Sequence, residues 1–473
     1  MLLRHTFFYL MSRLVTVGTA FFSVWLFSRL LAPAEFGFYS TVMAAATIIN
    51  LGLFQWLRMT LMRFLPASAA PGALQEAALW LFMLLSASLL VLGPLTFLVP
   101  RGTWQYLVPS VLLVTWALAA SELSLGQLRT RLLPLHFLAF SAIRDSLQVG
   151  LVLLFLPLGW RAEGLVAAAV IANLLPVLLW FPLAWKGGCR PRYDRALVKK
   201  FYAYGLPLIG LYAVGALLAN ADRILLPLLV SSEAAGLYGA ASSLARQTLT
   251  ALLQVINLAA FPLAIAAYKH NDLAADRHHF ERSFILLLGV GLPAAAGLAV
   301  LARPIAQLVL GADYVEAATN MMPWLALAAL LQGLRTYYTD QAFLLVGETR
   351  KCMNNLLLTG ALTLPLSAGL IYWQGLAGAV YGMTLGFAMS LALGWFGQTT
   401  FRLPLPRRES GWIVIATLLM VLTLWPLRQV SGAGPVLAAI GAGGLVYMAV
   451  MLAGDVLHIR SHSLSYLRRR QAA

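Results

Sequence analysis

The sequence predicts an all-α integral membrane protein of about 14 transmembrane helices, built as two six-helix lobes related by a parallel pseudo-two-fold axis plus two C-terminal helices. Three observations predict it. The 473 residues are 61% hydrophobic and only 11% charged, with mean hydropathy +0.82, so lipid must cover apolar surface that a soluble core of ordinary proportions could not hide. Apolar runs of about 17 to 25 residues, long enough to cross a bilayer, recur along the chain. One stretch also occurs twice: FSRLLAPAEFGFYSTVMAAAT at 27–47 overlays 219–247 with Gly37 on Gly236 and Tyr39 on Tyr238, an offset of 199.

Taken in order, the spans lie near 9–31, 37–57, 77–99, 105–126, 137–158, 163–185, 203–230, 235–267, 283–302, 320–346, 353–373, 375–399, 411–427 and 433–454. The eighth is longer than one crossing needs, so its inner end near 267–269 projects beyond the membrane. Pro and Gly are frequent within the spans, which membrane helices tolerate because neighbours re-satisfy the freed backbone groups. GLVAAAV at 164–170 opens the sixth span and GLAGAV at 375–380 opens the twelfth in the same manner, each after a short outer loop. Six spans per half, both halves starting on the same side, make the repeats parallel, with a substrate site expected between them near mid-membrane. The division is then an N-terminal lobe at 1–186, an inner linker at 187–202, a C-terminal lobe at 203–401, and two extra helices with a basic tail at 402–473.

A net charge of +16 would point to nucleic acid in a soluble protein; here the distribution of the cations decides otherwise. With the N-terminus inside, 23 of the 33 lysines and arginines fall in inner loops and tails, five in outer loops and five within spans. That bias places both termini in the cytoplasm of a bacterial inner membrane and makes anionic lipids, not nucleic acid, the partner of the basic loops. Arg4 before an apolar run, with Ala32-Pro33-Ala34 after it, imitates a signal peptide. The run is too long for one, Arg13 interrupts it, and its end is the stretch that the second half repeats. Only Cys189 and Cys352 occur, at inner loops or helix ends, which excludes a disulfide framework and a cysteine metal site.

Polar residues inside the spans carry the functional argument, because a charge in hydrocarbon costs roughly 2.5 to 3.5 kcal/mol even on insertion scales and therefore faces a partner, the bundle interior or a cavity. Span eight aligns Ser243, Gln247, Thr250, Gln254 and Asn257, with Arg246 bordering the same arc; the stripe is either a cavity lining or a hydrogen-bonded helix seam. Span one carries Arg13 beside Ser12, Thr16, Thr19 and Ser23. Span seven aligns Tyr212, Asn220 and Arg223, and span two Thr47, Asn50 and Arg58. Span ten has Gln332, Arg335, Thr336 and Thr339 on one side, with Asp340 turned partly away. Arg13 and Arg223 could equally snorkel or pair structurally, and Arg58 could snorkel to the inner surface.

The acids among them are Glu122, Asp145, Asp222 and Asp340. Arg144-Asp145 and Asp222-Arg223 are sequence neighbours, and adjacent helix residues do not face each other, so their partners are expected on other helices. Several arginines around a cavity suit a phosphate-bearing substrate, since guanidinium stays charged and binds phosphate bidentately. Each acid is either a site of proton or sodium coupling or a counter-ion to arginine. Walker loops, HExxH and metal-ligand clusters are missing, so the reading is a transporter without a cofactor, not an enzyme. His278-His279 reads as a solvated inner loop.

SRLLAPAEFGFYS at 28–40, FYAYGLPLIG at 201–210, ADRILLPLLVSSEAAGLYGAASSLARQ at 221–247 and ARPIAQLVLGADYVEAATNMMPWLALAALLQG at 302–333 are each mostly apolar, Gly and Tyr. Their order and intervals make the chain resemble the Wzx-type flippases, the polysaccharide-biosynthesis branch of the multidrug/oligosaccharidyl-lipid/polysaccharide exporter superfamily. The resemblance implies two six-helix lobes around a central cationic cavity, opening alternately to each side and carrying an undecaprenyl-diphosphate-linked oligosaccharide to the periplasmic leaflet. It implies substrate arginines at Arg13, Arg58 and Arg246. A polymerase and a chain-length regulator are the expected protein partners. Fourteen spans instead of twelve resemble the lipid II flippase, whose extra pair forms a groove for the lipid tail. The substrate set is then Arg13, Arg58, Arg223, Arg246, Gln254, Asn257 and Arg335, and the coupling set Glu122, Asp145, Asp222 and Asp340. The rival readings are a multidrug antiporter of the same superfamily, which would want an acidic or aromatic cavity, and a membrane polymerase or ligase, disfavoured by the short outer loops and the duplication.

Overall fold

The computed structural model describes residues 2–68, 70–91, 93–94, 106–188, 190–268, 273–346, 348–397 and 403–455, and among them all regular structure is helical. Twelve helices are long and apolar enough to cross a membrane. Leucines stand exposed along them, including Leu84, Leu178, Leu358, Leu422 and Leu445, an arrangement that only a lipid environment makes favourable. The chain is a multi-pass membrane protein. The eighth and tenth expected spans are long helical runs that fall outside this twelve. They are the two that carry the polar stripes.

The chain divides into two compact units, 1–27 with 31–236, and 28–30 with 237–473. The first contains α1 (Leu2–Leu30, apart from its last three residues), α2 (Pro33–Leu53), α3 (Gln55–Phe64), α4 (Pro71–Leu90), α5 (Leu107–Thr130), α6 (Pro134–Phe155), α7 (Ala162–Ala184) and α8 (Arg195–Leu229). Prolines open α2, α4 and α6, where a missing N–H is no loss and φ is already helical. Asp194 caps α8, accepting from the N–H groups of Ala196 and Leu197 at 2.8 and 3.0 Å. Trp56, Leu57, Leu61, Leu81, Leu128, Phe140 and Phe201 form a core of this unit. Close to it, Gln75, fully buried, donates to Gln127 Oε1 and Ala184 O at 3.1 Å and accepts from Arg131, which also donates to Lys186 O. That cluster ties α4 and α5 to the end of α7.

The repeated motif is a packing device. α9 (Ser232–Tyr268) begins in the first unit, and a Cβ on Gly37 would collide with the carbonyl oxygen of Ser232, while one on Gly236 would collide with that of Pro33. The two glycines lie back to back, each on the turn that precedes the other. Thr41, one turn on, donates to Arg223 O at 3.1 Å.

The second unit contains the rest of α9, α10 (Leu273–Val300), α11 (Ala302–Val309), α12 (Ala312–Leu334), α13 (Asp340–Val346), α14 (Thr349–Gln374), α15 (Leu376–Phe396), α16 (Arg407–Leu424) and α17 (Ala433–Ala453). His278 and His279 are helical, in the first turns of α10, where a loop was expected. α16 and α17 pack on α10 through Ile285, Ile413, Ala416, Met420 and Tyr447, whose hydroxyl donates to Gly289 O at 2.6 Å. Between α12 and α13 the helix continues as one π turn, Arg335–Thr339.

Candidate functional site

In the first unit, charges from three helices meet. Glu122 on α5 bridges two arginines, its Oε2 accepting from Arg58 of α3 and its Oε1 from Arg144 of α6 at 3.4 Å. Arg144 Nε also donates to Asp145 Oδ1 at 2.9 Å. Two cations and two anions thus form one neutral chain, with side chains only 14–32% exposed. One turn along α6, Gln148 donates to the hydroxyl of Tyr39, the tyrosine of the repeated motif, at 2.6 Å. Arg58 and Glu122 line a small, partly open recess with Asn50, Phe54, Gln55 and Phe82. The kink between α2 and α3 at Phe54 turns Arg58 into it. Asp145 Oδ2 is buried and accepts no hydrogen bond among the described residues.

In the second unit the π turn creates a smaller cluster. Its hydrogen bonds run from residue i+5 to i, and the Asp340 N–H donates to Arg335 O. Asp340, expected to be turned partly away, is brought by this widened turn within reach of Arg335, Oδ1 to Nε 3.6 Å. A regular α-helix would set residues five apart on different faces. Cys352 Sγ on α14 donates to the same Asp340 oxygen at 3.9 Å. Gln341 donates to Asn257 Oδ1, linking the polar stripe of α9 to α13.

Of the residues singled out in sequence, the structure joins Arg58, Glu122 and Asp145, through Arg144, in the first unit and Arg335 with Asp340 in the second, while Asn257 meets Gln341. Arg246 and Gln254 are half-buried on α9. Arg13 is exposed on α1, Asp222 is buried on α8, and Arg223 beside it is half-buried. The expectation that neighbouring charges find partners only on other helices is corrected by Arg144: it pairs with Asp145 directly as well as with Glu122. The neighbour rule concerns Cβ directions, and a long guanidinium arm curls past them. Arg144 and Gln148 belong to the site although the sequence reading left them off it. The spacing Arg144, Asp145, Gln148 on an otherwise apolar helix was the available signal.

These elements define a helical, multi-pass membrane fold with ionisable residues inside its spans. The chain belongs to the polysaccharide biosynthesis protein family, whose model matches residues 26–319. No curated protein matches it in sequence. Among solved structures it is similar to the lipid II flippase MurJ in an inward closed conformation, at 11% identity and TM-score 0.78 over 96% of this chain and 99% of that one. It is also similar to an inward-facing multidrug resistance MATE family transporter of the MOP superfamily, at 16% identity and TM-score 0.63 over 81% and 93%. A eukaryotic MATE transporter, AtDTX14, follows at 13% identity and TM-score 0.52 over 88% and 99%. The fold is that of the MOP superfamily.

Proposed function

We propose that the protein is a flippase that moves an undecaprenyl-diphosphate-linked oligosaccharide from the cytoplasmic to the periplasmic leaflet of a bacterial inner membrane by alternating access, for surface polysaccharide such as O-antigen, capsule or exopolysaccharide. The observation that carries it is Arg58 on the wall of a recess inside a polysaccharide-biosynthesis protein. Both termini face the cytoplasm, basic inner loops meet anionic lipid, and a polymerase with a chain-length regulator receives the product. The lobes at 1–186 and 203–401 rock about the 187–202 linker, and the segment 402–473 stands outside the duplication.

The mechanism follows from the neutrality of the charge chain. Arg58 is already paired with Glu122, so a diphosphate that reaches the guanidinium competes with a carboxylate for it. Displaced, Glu122 keeps Arg144 as a partner and can take up a proton or a sodium ion, which couples substrate to cation. Arg13, Arg223, Arg246, Gln254, Asn257 and Arg335 complete the substrate contacts in this reading, and Asp145, Asp222 and Asp340 are the remaining coupling groups.

A second reading has its own support: Glu122 and Asp145 could pair with a cationic drug, as an antiporter with the MATE fold would require. One experiment separates them. Purified protein in liposomes is given a fluorescent lipid-linked oligosaccharide or, in parallel, a cationic dye. Translocation of the lipid, lost on Arg58→Ala, supports the flippase. Dye transport that survives Arg58→Ala and vanishes with Glu122→Gln, without lipid translocation, would overturn it.

A further inference from the structure

We infer that the junction of α3 with the first turns of α8 is a binding site for the phosphate of an anionic phospholipid. Arg63 and Lys200 converge there on one pair of rings. The Arg63 guanidinium carbon lies 4.3 Å from the centroid of the Tyr204 ring and 5.8 Å from that of Phe64, and Lys200 Nζ lies 4.3 Å from the Phe64 centroid. The rings meet edge to face at 5.6 Å. Both cations are exposed, and among the described residues neither has a carboxylate within 4.0 Å. The acid nearest in sequence, Asp194, already accepts two backbone N–H groups at the start of α8.

Two like charges placed over one pair of rings repel each other, and an anion that reaches both offsets that repulsion. Ring faces fix where the cations stand, but they do not neutralise them. A phosphodiester would: guanidinium donates to two of its oxygens and ammonium to one. The location selects the source of that phosphate. The apolar windows of α2 and α8 end at Leu53 and begin at Leu208, so the cluster lies just past the ends of two spans, at headgroup depth. Trp80 against Tyr193 at 4.9 Å, Tyr193 exposed, adds an aromatic pair of the interfacial kind on the same side. Arg190, Arg192, Arg195 and Lys199 adjoin in sequence, a polybasic segment of the type that anionic leaflets attract. The exposed cations have no walls around them to enclose a sugar, which separates this surface from the recess at Arg58 and makes the inference independent of the flippase reading.

Native mass spectrometry of the purified protein with phosphatidylglycerol, phosphatidylcholine or undecaprenyl phosphate tests it. The wild type is expected to retain phosphatidylglycerol preferentially. Each lost cation lowers that retention about fivefold, so Arg63→Gln/Lys200→Gln loses the preference, whereas Arg407→Gln/Arg408→Gln, equal in charge and exposed in the second unit, keeps it. Lys200→Gln alone gives the intermediate value and serves if the double variant folds poorly. Equal retention by the two double variants would overturn the site, whether both bind or both fail. So would a loss confined to undecaprenyl phosphate with phosphatidylglycerol unchanged, because the cations would then belong to the substrate path. Flipping activity does not enter the readout.

Discussion

Glu122 holds two arginines at once, and that single fact changes what the arginines of the first unit can do. An arginine free in a recess would bind any phosphate; an arginine already paired divides its five N–H donors between the carboxylate and an incoming phosphate, which weakens its hold on each. Removing Glu122's charge should therefore separate binding from turnover. Glu122→Gln leaves Arg58 more available, and undecaprenyl diphosphate is expected to bind several-fold tighter, about 1 kcal/mol, the low end of the cost of an unsatisfied polar group because Arg58 is partly exposed. Translocation should fall, because the substrate no longer has a carboxylate to hand it off. Binding followed by tryptophan quenching, and flipping followed in liposomes, check the two halves; weaker binding with unchanged flipping would remove Glu122 from the exchange.

Helices show where local rules meet tertiary packing. Gly37 and Gly236 are legible in the sequence as a repeat, but only the structure shows the reason for them: α2 and the start of α9 approach until each backbone rests on the other. Gly37→Ala and Gly236→Ala should each lower stability by about 1–3 kcal/mol through overpacking against backbone that has no rotamer to change. Gly18→Ala, with no heavy atom within 4 Å of the added methyl, should lose nothing, since alanine is the better helix former. Thermal unfolding in detergent compares the three. Helix positions were legible because length and apolar content alone specify them. The π turn at Arg335–Thr339 was not, since one extra residue in a turn leaves no mark on composition, and with it the meeting of Arg335 and Asp340 was hidden. Arg144 was hidden for the opposite reason: a rule about adjacent residues was applied to a side chain long enough to evade it. The cationic surface at Arg63 and Lys200 needed the break at Phe54, which separates α3 from α2, and the packing of Arg63 on Tyr204 of α8.

At the scale of the whole molecule the open choice is how many times the chain crosses the membrane. Fourteen crossings follow from length, twelve from hydropathy, and the difference is α9 and α12, whose polar residues lower their hydropathy without shortening them. Both counts leave the termini on the same side, so tags at the ends cannot decide between them. Asp313, exposed at the start of α12, can. If α9 and α12 cross, residue 313 faces the periplasm; if they do not, the chain from 302 to 349 stays inside, and residue 313 with it. Single cysteines at 161, 195, 313 and 351, in a background with Cys189→Ser and Cys352→Ser, give four exposed reporters, the serine at 352 keeping a donor for Asp340. An impermeant maleimide on spheroplasts is expected to label 161 and 313, and to reach 195 and 351 only after lysis, as the Lys and Arg bias requires. Labelling of 313 only after lysis would reduce the spans to twelve and place the stripe of Gln254 and Asn257 outside the membrane, where amides need no cavity to explain them. The inverse pattern at 161 and 195 would turn the whole chain over, and would put the recess at Arg58 on the wrong side to receive a substrate made in the cytoplasm.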